Sequence, residues 1–437
     1  MPSLSTAETP SLQVGQNVKT HFIVTSIGTY GDIFPFAQVA IALQKTGHKV
    51  TFITNPYFED IIHNCGLTFQ PIGTKEQYMR VIMSEGLWND QGFFDIVTSL
   101  FVPNLFVIDQ FTAKLDPKEK IVILAHQNFL PNAGIAQSKR KNIKIICGAL
   151  YPSIFRTSPK SIKIGSFTLP NILKKLAWYF LTKKDDRKYQ TSPCIKLLNQ
   201  VRKEQGLSPI KSYTDLFDRI ASLNALLFSS WFGPTHHEWP KNIIQGDFLL
   251  NESHGNSQIS TALQDFLSSG EKPILFTFGT GNMHTQKYIG AALESIKTIR
   301  CKAIYICNDQ DRLPKNLPSN IFWLPYFDNF RLLLEQCSMV VYHGGIGTFA
   351  EAARCGIPQL SIPSLGDQWD NAERIENLHL GGTISIKDLN AERLTEKINS
   401  ILAPHKILKK CRDIQVLMSH QITVDTMAHR IIEATKT

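Results

Sequence analysis

Two stretches of the chain carry the same hydrophobic pattern, one starting near residue 19 and the other near residue 274. In the first, Lys19 to Ser26 reads as a buried strand, because Phe22, Ile23, Val24 and Thr25 are consecutive β-formers that run into a glycine-rich turn. From Pro35 to Lys45 the apolar positions Phe36, Val39, Ala40 and Leu43 take helical spacing, and Gly47 closes the helix. Val50 to Thr54 predicts a second strand. Strand, helix and strand in so short a span make a βαβ unit, and strands apolar on both faces imply a parallel sheet covered by helices on each side. The second stretch repeats this with a strand over Ile274–Phe278, a helix through Leu293 and Ile296, and strands at Ala303–Ile306, Ile321–Trp323 and Met339–Tyr342. The expected fold class is therefore α/β with two doubly wound halves, and ligands are expected in the cleft between them.

Between the halves the pattern is less regular. Lys120–Ala125 and Lys144–Ala149 predict further strands, and Ile172–Leu181 predicts an amphipathic helix. In that helix Trp178, Tyr179 and Phe180 lie between the pairs Lys174, Lys175 and Lys183, Lys184. An apolar helical stripe is ordinarily core, so the expectation is a core-facing helix with a solvated rim, and a surface resting on lipid is the alternative. The polar run Asn251–Gln258 reads as a connection before the second unit. The division expected is a flexible leader over 1–18, a first domain over 19–245, a second over 246–420, and a last helix over 421–437 placed to return to the first.

Composition narrows the function classes. With 437 residues, 43% of them apolar and 19% charged, the chain is too long for one core and too apolar to be largely disordered. No apolar run reaches the length of a spanning helix, and the polar start Met1–Gly15 does not resemble a secretory signal. Eight widely spaced cysteines fit structural thiols in a reducing cytoplasm, and Cys301 with Cys307 lacks the second cluster that zinc needs. A formal charge of +9 favours anionic partners such as nucleotides or acidic lipid surfaces. The lysines and arginines are scattered, with no aromatic-basic platform, so nucleic acid is not an expected partner.

The densest chemistry lies at Tyr342-His343-Gly344-Gly345-Ile346-Gly347-Thr348-Phe349-Ala350-Glu351, followed by Gly356-Ile357-Pro358 and then by Gly366-Asp367-Gln368-Trp369-Asp370-Asn371-Ala372. A glycine-rich turn from strand to helix exposes backbone N–H groups to a diphosphate, and His343 and Thr348 can each donate to it. The turn lacks the Lys-Ser/Thr ending of a triphosphatase loop and the first-strand position of a dinucleotide fingerprint.

The stretch Tyr342–Ala372 resembles the donor-binding signature of family 1 and family 28 type glycosyltransferases of the GT-B fold, nearest to bacterial rhamnosyl-, antibiotic- and sterol-glycosyltransferases. Gly28-Thr29-Tyr30-Gly31-Asp32-Ile33-Phe34-Pro35 is similar to their acceptor-side loop, and Phe278-Gly279-Thr280 adds a third match. The resemblance implies an acceptor-binding first domain facing a nucleotide-sugar-binding second domain across a cleft. It implies that Thr280, His343, Gly345, Gly347 and Thr348 hold the donor phosphates, Glu351 the ribose, and Asp367 and Gln368 the sugar hydroxyls. Trp323, Pro325 and Tyr326 would lie by the base. Tyr326 stands where plant relatives commonly have glutamine, which leaves UDP- and dTDP-sugars both open as co-substrate.

Asp32 is the expected base, in the loop after the first strand where functional loops converge. Amides, His343 and Thr348 can offset the leaving-group charge without a metal, and Asp309-Gln310-Asp311 reads as a solvated loop, so neither metal nor other cofactor is expected. Inversion is implied by the resemblance alone. Trp88, Phe93 and Phe94 are candidates for the acceptor region, suited to a small apolar or lipid-like alcohol and equally to a hydrophobic core. The expected place is the cytoplasm, with peripheral contact on a membrane's inner face as a further option; the oligomeric state is left open. A catalytically inactive nucleotide-sugar-binding module and a nucleotide-sugar epimerase stay open as rival functions.

Overall fold

A computed structural model of the chain describes residues 20–82, 102–157, 163–164, 167–168, 170–250, 258–277, 285–307, 316–327, 329–364, 366–403 and 405–436. Its first sheet has seven strands: β1 (His21–Thr25), β2 (Lys49–Thr54), β3 (Thr68–Pro71), β4 (Ile121–His126), β5 (Ile143–Ala149), β8 (Leu223–Leu226) and β9 (Ile243–Gln245). A small antiparallel pair, β6 (Lys163–Ile164) and β7 (Phe167–Thr168), stands apart from it. The second sheet has six strands: β10 (Ile274–Thr277), β11 (Ala303–Ile306), β12 (Ile321–Leu324), β13 (Met339–Tyr342), β14 (Gln359–Ser361) and β15 (Gly381–Thr383).

All pairings within the two sheets are parallel, in the orders β3-β2-β1-β4-β5-β8-β9 and β12-β11-β10-β13-β14-β15. Each order reverses direction once, between β1 and β4 and between β10 and β13. Loops diverge at such a point and leave a crevice at the carboxyl ends of the strands. These are two Rossmann-like domains across a cleft, the GT-B arrangement. Burial follows the sequence pattern: all of β1, β4 and β13 are buried, as strands covered on both faces must be.

The first helix departs from its expected bounds. It spans Tyr30–Lys45 and so starts five residues before Pro35. Thr29 precedes it as the cap residue, and the Asp32 carboxylate accepts from the Thr29 N–H at 2.8 Å. That bond satisfies one of the amides a helix start leaves unpaired and fixes the turn upstream of the proline. Asp32 therefore sits in the first helical turn, not in a free loop.

The long helix Asn171–Thr191 also departs from expectation, because it does not face the core. Tyr179 is 55% and Phe180 61% exposed. Trp178 is turned the other way, donating to Glu238 at 2.9 Å. Its apolar residues point both ways, Trp178 toward the protein and Leu173, Leu176 and Phe180 toward solvent, so no single apolar stripe buries it.

The closing helix Val424–Ala434 packs on the first helix of the other end of the chain. Lys120, just before β4, and Lys144, in β5, donate to the Thr435 carbonyl at 3.0 and 3.1 Å. Ile422 N–H donates to Asp247 at 3.0 Å.

Candidate functional site

The sheet register puts Asp32 beside a residue that sequence reading missed. Thr25 pairs with Ala125, so the chain leaves β1 at Ser26 alongside His126, the last residue of β4. His126 is buried, and its Nε2 lies 3.7 Å from Asp32 Oδ1. Its Nδ1 accepts from the Asn128 N–H, so the neutral ring carries its proton on Nε2, facing that carboxylate. Burial lowers the His126 pKa, with the Asp32 charge pulling the other way, which keeps the ring neutral at pH 7. Asp32 Oδ2 is taken by Thr29, leaving Oδ1 on the side of His126. The switch-point rule applied to the end of β4 is the signal that could have found His126. His21 is buried between Thr51 at 2.8 Å and Glu119 at 3.1 Å, so it serves the sheet.

Gly28 holds this carboxylate in place. Its φ is +147°, and a Cβ there would collide with Asp32 Oδ2, while its carbonyl accepts from the Tyr78 hydroxyl at 2.6 Å. Gly28→Ala is therefore expected to cost about 1–3 kcal/mol of stability and to displace the Asp32 carboxylate. Transfer to any acceptor should fall steeply in this variant while nucleotide affinity, measured by calorimetry, stays put.

Across the cleft, β13 ends at Tyr342, and the helix Ile346–Cys355 begins one short glycine turn later. Gly344 takes φ +89°, where a side chain would strike Ser361 Oγ at 2.6 Å. Gly345 carries the ring of His343 over it, since a Cβ at 345 would lie 2.5 Å from His343 Nε2. Over Gly347 there is nothing within 4 Å of a Cβ position. The N–H groups of Ile346, Gly347 and Thr348 occupy the first helical turn, where no intrahelical acceptor exists, and they open on this space. Burial lowers the His343 pKa to about 4, so the ring is a neutral hydrogen-bond donor at pH 7, and its Nδ1 has no partner among the described residues.

The turn is braced from below. Tyr342 donates to Gln359 at 2.7 Å inside the sheet, and Asn371 donates both to the Gly344 carbonyl at 3.0 Å and to Asp367 at 2.8 Å. Asn371 thus links the glycine turn to the carboxylate that precedes the helix Gln368–Asn377. Gln368 accepts from Ser364 N–H at 3.0 Å through its side-chain oxygen, so that oxygen holds the loop.

Asp367, on the second domain, feels the charge of Asp32 on the first. Burial first, and the Asp32 charge second, push the Asp367 pKa up to about 7. The same two carboxylates act on Tyr151, whose hydroxyl burial raises well above the usual phenol range and which bonds to Gln127. A carboxyl raised in this way keeps its proton in the folded state after the unfolded chain has lost it. It therefore costs stability as pH rises from about 4 to 7, and the whole cost is present above 7. Asp367→Asn keeps an acceptor for Asn371, so it is expected to unfold about 2 °C higher than the parent near pH 8 and unchanged near pH 4. Equal shifts at both pH values in a thermal melt would contradict this account.

Comparison with known proteins joins the two halves. The glycosyltransferase family 28 N-terminal domain matches residues 22–101, and the erythromycin biosynthesis protein CIII-like C-terminal domain matches residues 293–431. The chain is a GT-B glycosyltransferase. An uncharacterized protein of Mycobacterium bovis is 24% identical over 95% of this chain and 96% of its own length. A sterol 3-beta-glucosyltransferase of Arabidopsis thaliana is 25% identical over 86% of this chain and 62% of its own. Among solved structures, the calicheamicin glycosyltransferase CalG4 shares the fold with a TM-score of 0.71 at 15% identity, covering 96% of this chain and 98% of its own. The glycosyltransferase VinC in complex with dTDP does so with a TM-score of 0.68 at 16% identity, covering 96% and 100%.

The two domains of the transferase meet through aromatic rings. Phe349, one turn into the glycine-turn helix, packs at a tilt against Phe232 with 4.4 Å between centroids. Arg374 donates to the Phe232 carbonyl at 2.8 Å and pairs with Asp370 at 2.7 Å. Trp323 lies half-buried in β12 with its indole N–H on the Cys307 carbonyl at 2.9 Å, next to Pro325 and a 60% exposed Tyr326. Burial and the Tyr57 hydroxyl raise Tyr30 to about 12, with Tyr326 adding to the effect from across the cleft. Glu351 is on the glycine-turn helix, four residues and so about one turn after Gly347.

Thr280, Trp88, Phe93, Phe94 and the Asp309–Asp311 pair lie outside the described residues. Among the described residues no group of three or more His, Cys, Asp or Glu converges to hold a metal ion. An apolar cavity opens just past the end of β4, where Gln127 and Asn128 line it, walled by Leu105, Pro131, Tyr189, Leu198, Tyr213 and Leu216. Asn132 lines it too, and Gln127 and Asn132 each have a buried side-chain oxygen that has no partner among the described residues. Each of these oxygens can accept one more hydrogen bond.

Proposed function

We propose that the transferase moves a hexosyl group from a UDP- or dTDP-sugar to a hydroxyl of a small apolar or lipid-like acceptor, with inversion and without a metal ion. The observation that carries this is the opposition of Asp32 on the first domain to an unpaired helix start with a neutral His343 on the second.

In this reading the first domain binds the acceptor and the second the donor. The amides at Ile346, Gly347 and Thr348, the Thr348 hydroxyl and the His343 N–H receive the diphosphate, with Thr280 beside it. Glu351 takes the ribose hydroxyls, Trp323 to Tyr326 border the base, and Asp367 takes the sugar hydroxyls. The acceptor enters the cavity of Leu105, Tyr189 and Tyr213, and its polar groups donate to Gln127 and Asn132. Its reacting hydroxyl gives a proton to Asp32 Oδ1 while its oxygen bonds to the anomeric carbon. The bond from that carbon to the diphosphate oxygen breaks on the opposite face, which inverts the centre. His126 Nε2 stands 3.7 Å behind the carboxylate and faces it with its proton.

A neutral His343 donates a hydrogen bond at any pH well above 4 and draws little on protons from solution, so the diphosphate is met by dipoles rather than by a formal cation. The expected place is the cytoplasm, and among the described residues no helix is long and apolar enough to cross a membrane.

Uridine and thymidine diphosphate sugars incubated with a panel of apolar alcohols, with products weighed intact and the anomeric coupling read by NMR, test the reading. A glycoside of inverted configuration supports it. Interconversion of the donor with no acceptor present would make the protein an epimerase, and donor binding without turnover on any acceptor would make it a binding module.

A further inference from the structure

We propose that the long helix Asn171–Thr191 docks the transferase on an anionic bilayer surface and stands beside the mouth of the acceptor cavity, so that an acceptor can pass from the lipid to the site. The second half of this inference rests on the apolar-acceptor reading above; the docking itself does not.

Five of the nine large hydrophobic residues exposed among the described residues lie on this one helix: Leu173, Leu176, Tyr179, Phe180 and Leu181, between 44% and 61% exposed. Leu173, Leu176 and Phe180 are spaced three and four apart and so line one face. The same face continues into Lys183, Lys184 and Arg187, at three, four and seven residues beyond Phe180, and all three are exposed. Lys188, also exposed, extends the basic end. The helix thus changes from apolar to cationic along its length rather than around its axis.

The other side of the helix belongs to the protein. Trp178 donates to Glu238 at 2.9 Å, Asp186 pairs with Arg156 at 2.9 Å, and the ring of Tyr189 meets that of Tyr213 edge-on with centroids 6.0 Å apart. These anchors turn the leucines and lysines outward. An interfacial segment needs an apolar wedge to enter the headgroup layer and cations to pair with acidic lipids, and this face has both in sequence.

A second copy of the same face fits worse. Parallel pairing sets cations against cations, and antiparallel pairing sets leucines against lysines. The helix also reaches the site: Tyr189, which walls the apolar cavity, is nine residues or about 14 Å along the axis from Phe180.

The test is co-sedimentation of the full chain with phosphatidylcholine vesicles, with and without phosphatidylglycerol, at low and high salt, alongside sedimentation velocity without lipid. The parent is expected to partition at least about tenfold more strongly onto the acidic vesicles, with the difference shrinking in salt. Leu176→Ser with Phe180→Ser should lose binding to both kinds of vesicle. Lys183→Glu with Lys184→Glu should lose the preference for acidic lipid by about tenfold or more. Both double variants should keep transfer to a water-soluble alcohol within about twofold of the parent, since none of these side chains walls the cavity. A parent that ignores acidic vesicles, or charge-reversed protein that binds them as well as the parent does, would overturn the docking. A self-association abolished by the serine pair, with no vesicle binding, would assign the face to a second copy and overturn it equally. Vesicle binding is read without donor or acceptor, so a failure to transfer sugar counts against the proposed function alone.

Discussion

Asp32→Asn should lower kcat for sugar transfer by about 10²–10⁴-fold while leaving donor affinity within about twofold. The asparagine is chosen because its side-chain oxygen can still accept from the Thr29 N–H at the helix start, as Asp32 Oδ2 does at 2.8 Å. The helix Tyr30–Lys45 then keeps its first turn, and only the proton acceptor is removed. Single-turnover product formation and calorimetric titration with the nucleotide separate the two effects. If transfer survives within tenfold, the base is another group, and Asp367, raised to about 7, is the carboxyl that the Asp32 charge reaches.

His343→Ala should reduce kcat by about 10²–10³-fold, the usual loss when one preorganised donor to a developing oxyanion is removed. His343→Gln is the informative companion, because a side-chain amide keeps an N–H donor without an imidazole. The parent ring is already neutral above about pH 4, so the glutamine variant should recover at least about a tenth of the activity and show the parent's pH profile between pH 6 and 8. A variant that stays as inactive as His343→Ala would mean that the ring must carry charge in the transition state.

The sheets were legible in the chain because their strands are unbroken apolar runs, and such runs fit only a parallel sheet covered on both sides. The glycine turn at 344–347 was legible for a related reason: φ +89° at Gly344 and the closeness of Ser361 leave no room for a side chain. Other features depend on pairings distant in sequence. The start of the first helix is set by a bond from Thr29 to Asp32 that outweighs the proline at 35, and periodicity does not register such a bond. His126 is one histidine among thirteen until the register sets the end of β4 beside the end of β1. In the helix Asn171–Thr191 the aromatic spacing suits a core, but spacing does not register whether partners exist to cover the rings.

The closing helix makes the domain that carries Asp32 out of both ends of the chain. Val424–Ala434 lies on the first helix, and the carbonyl of Thr435 takes the ammonium groups of Lys120 and Lys144. A ribosome delivers that domain's strands first and its last helix only after the whole partner domain has been made. The domain that carries Asp32 must therefore wait, partly uncovered, for the helix Val424–Ala434 to emerge. A chain cut short there would be expected to lose the half of the molecule that was synthesised first.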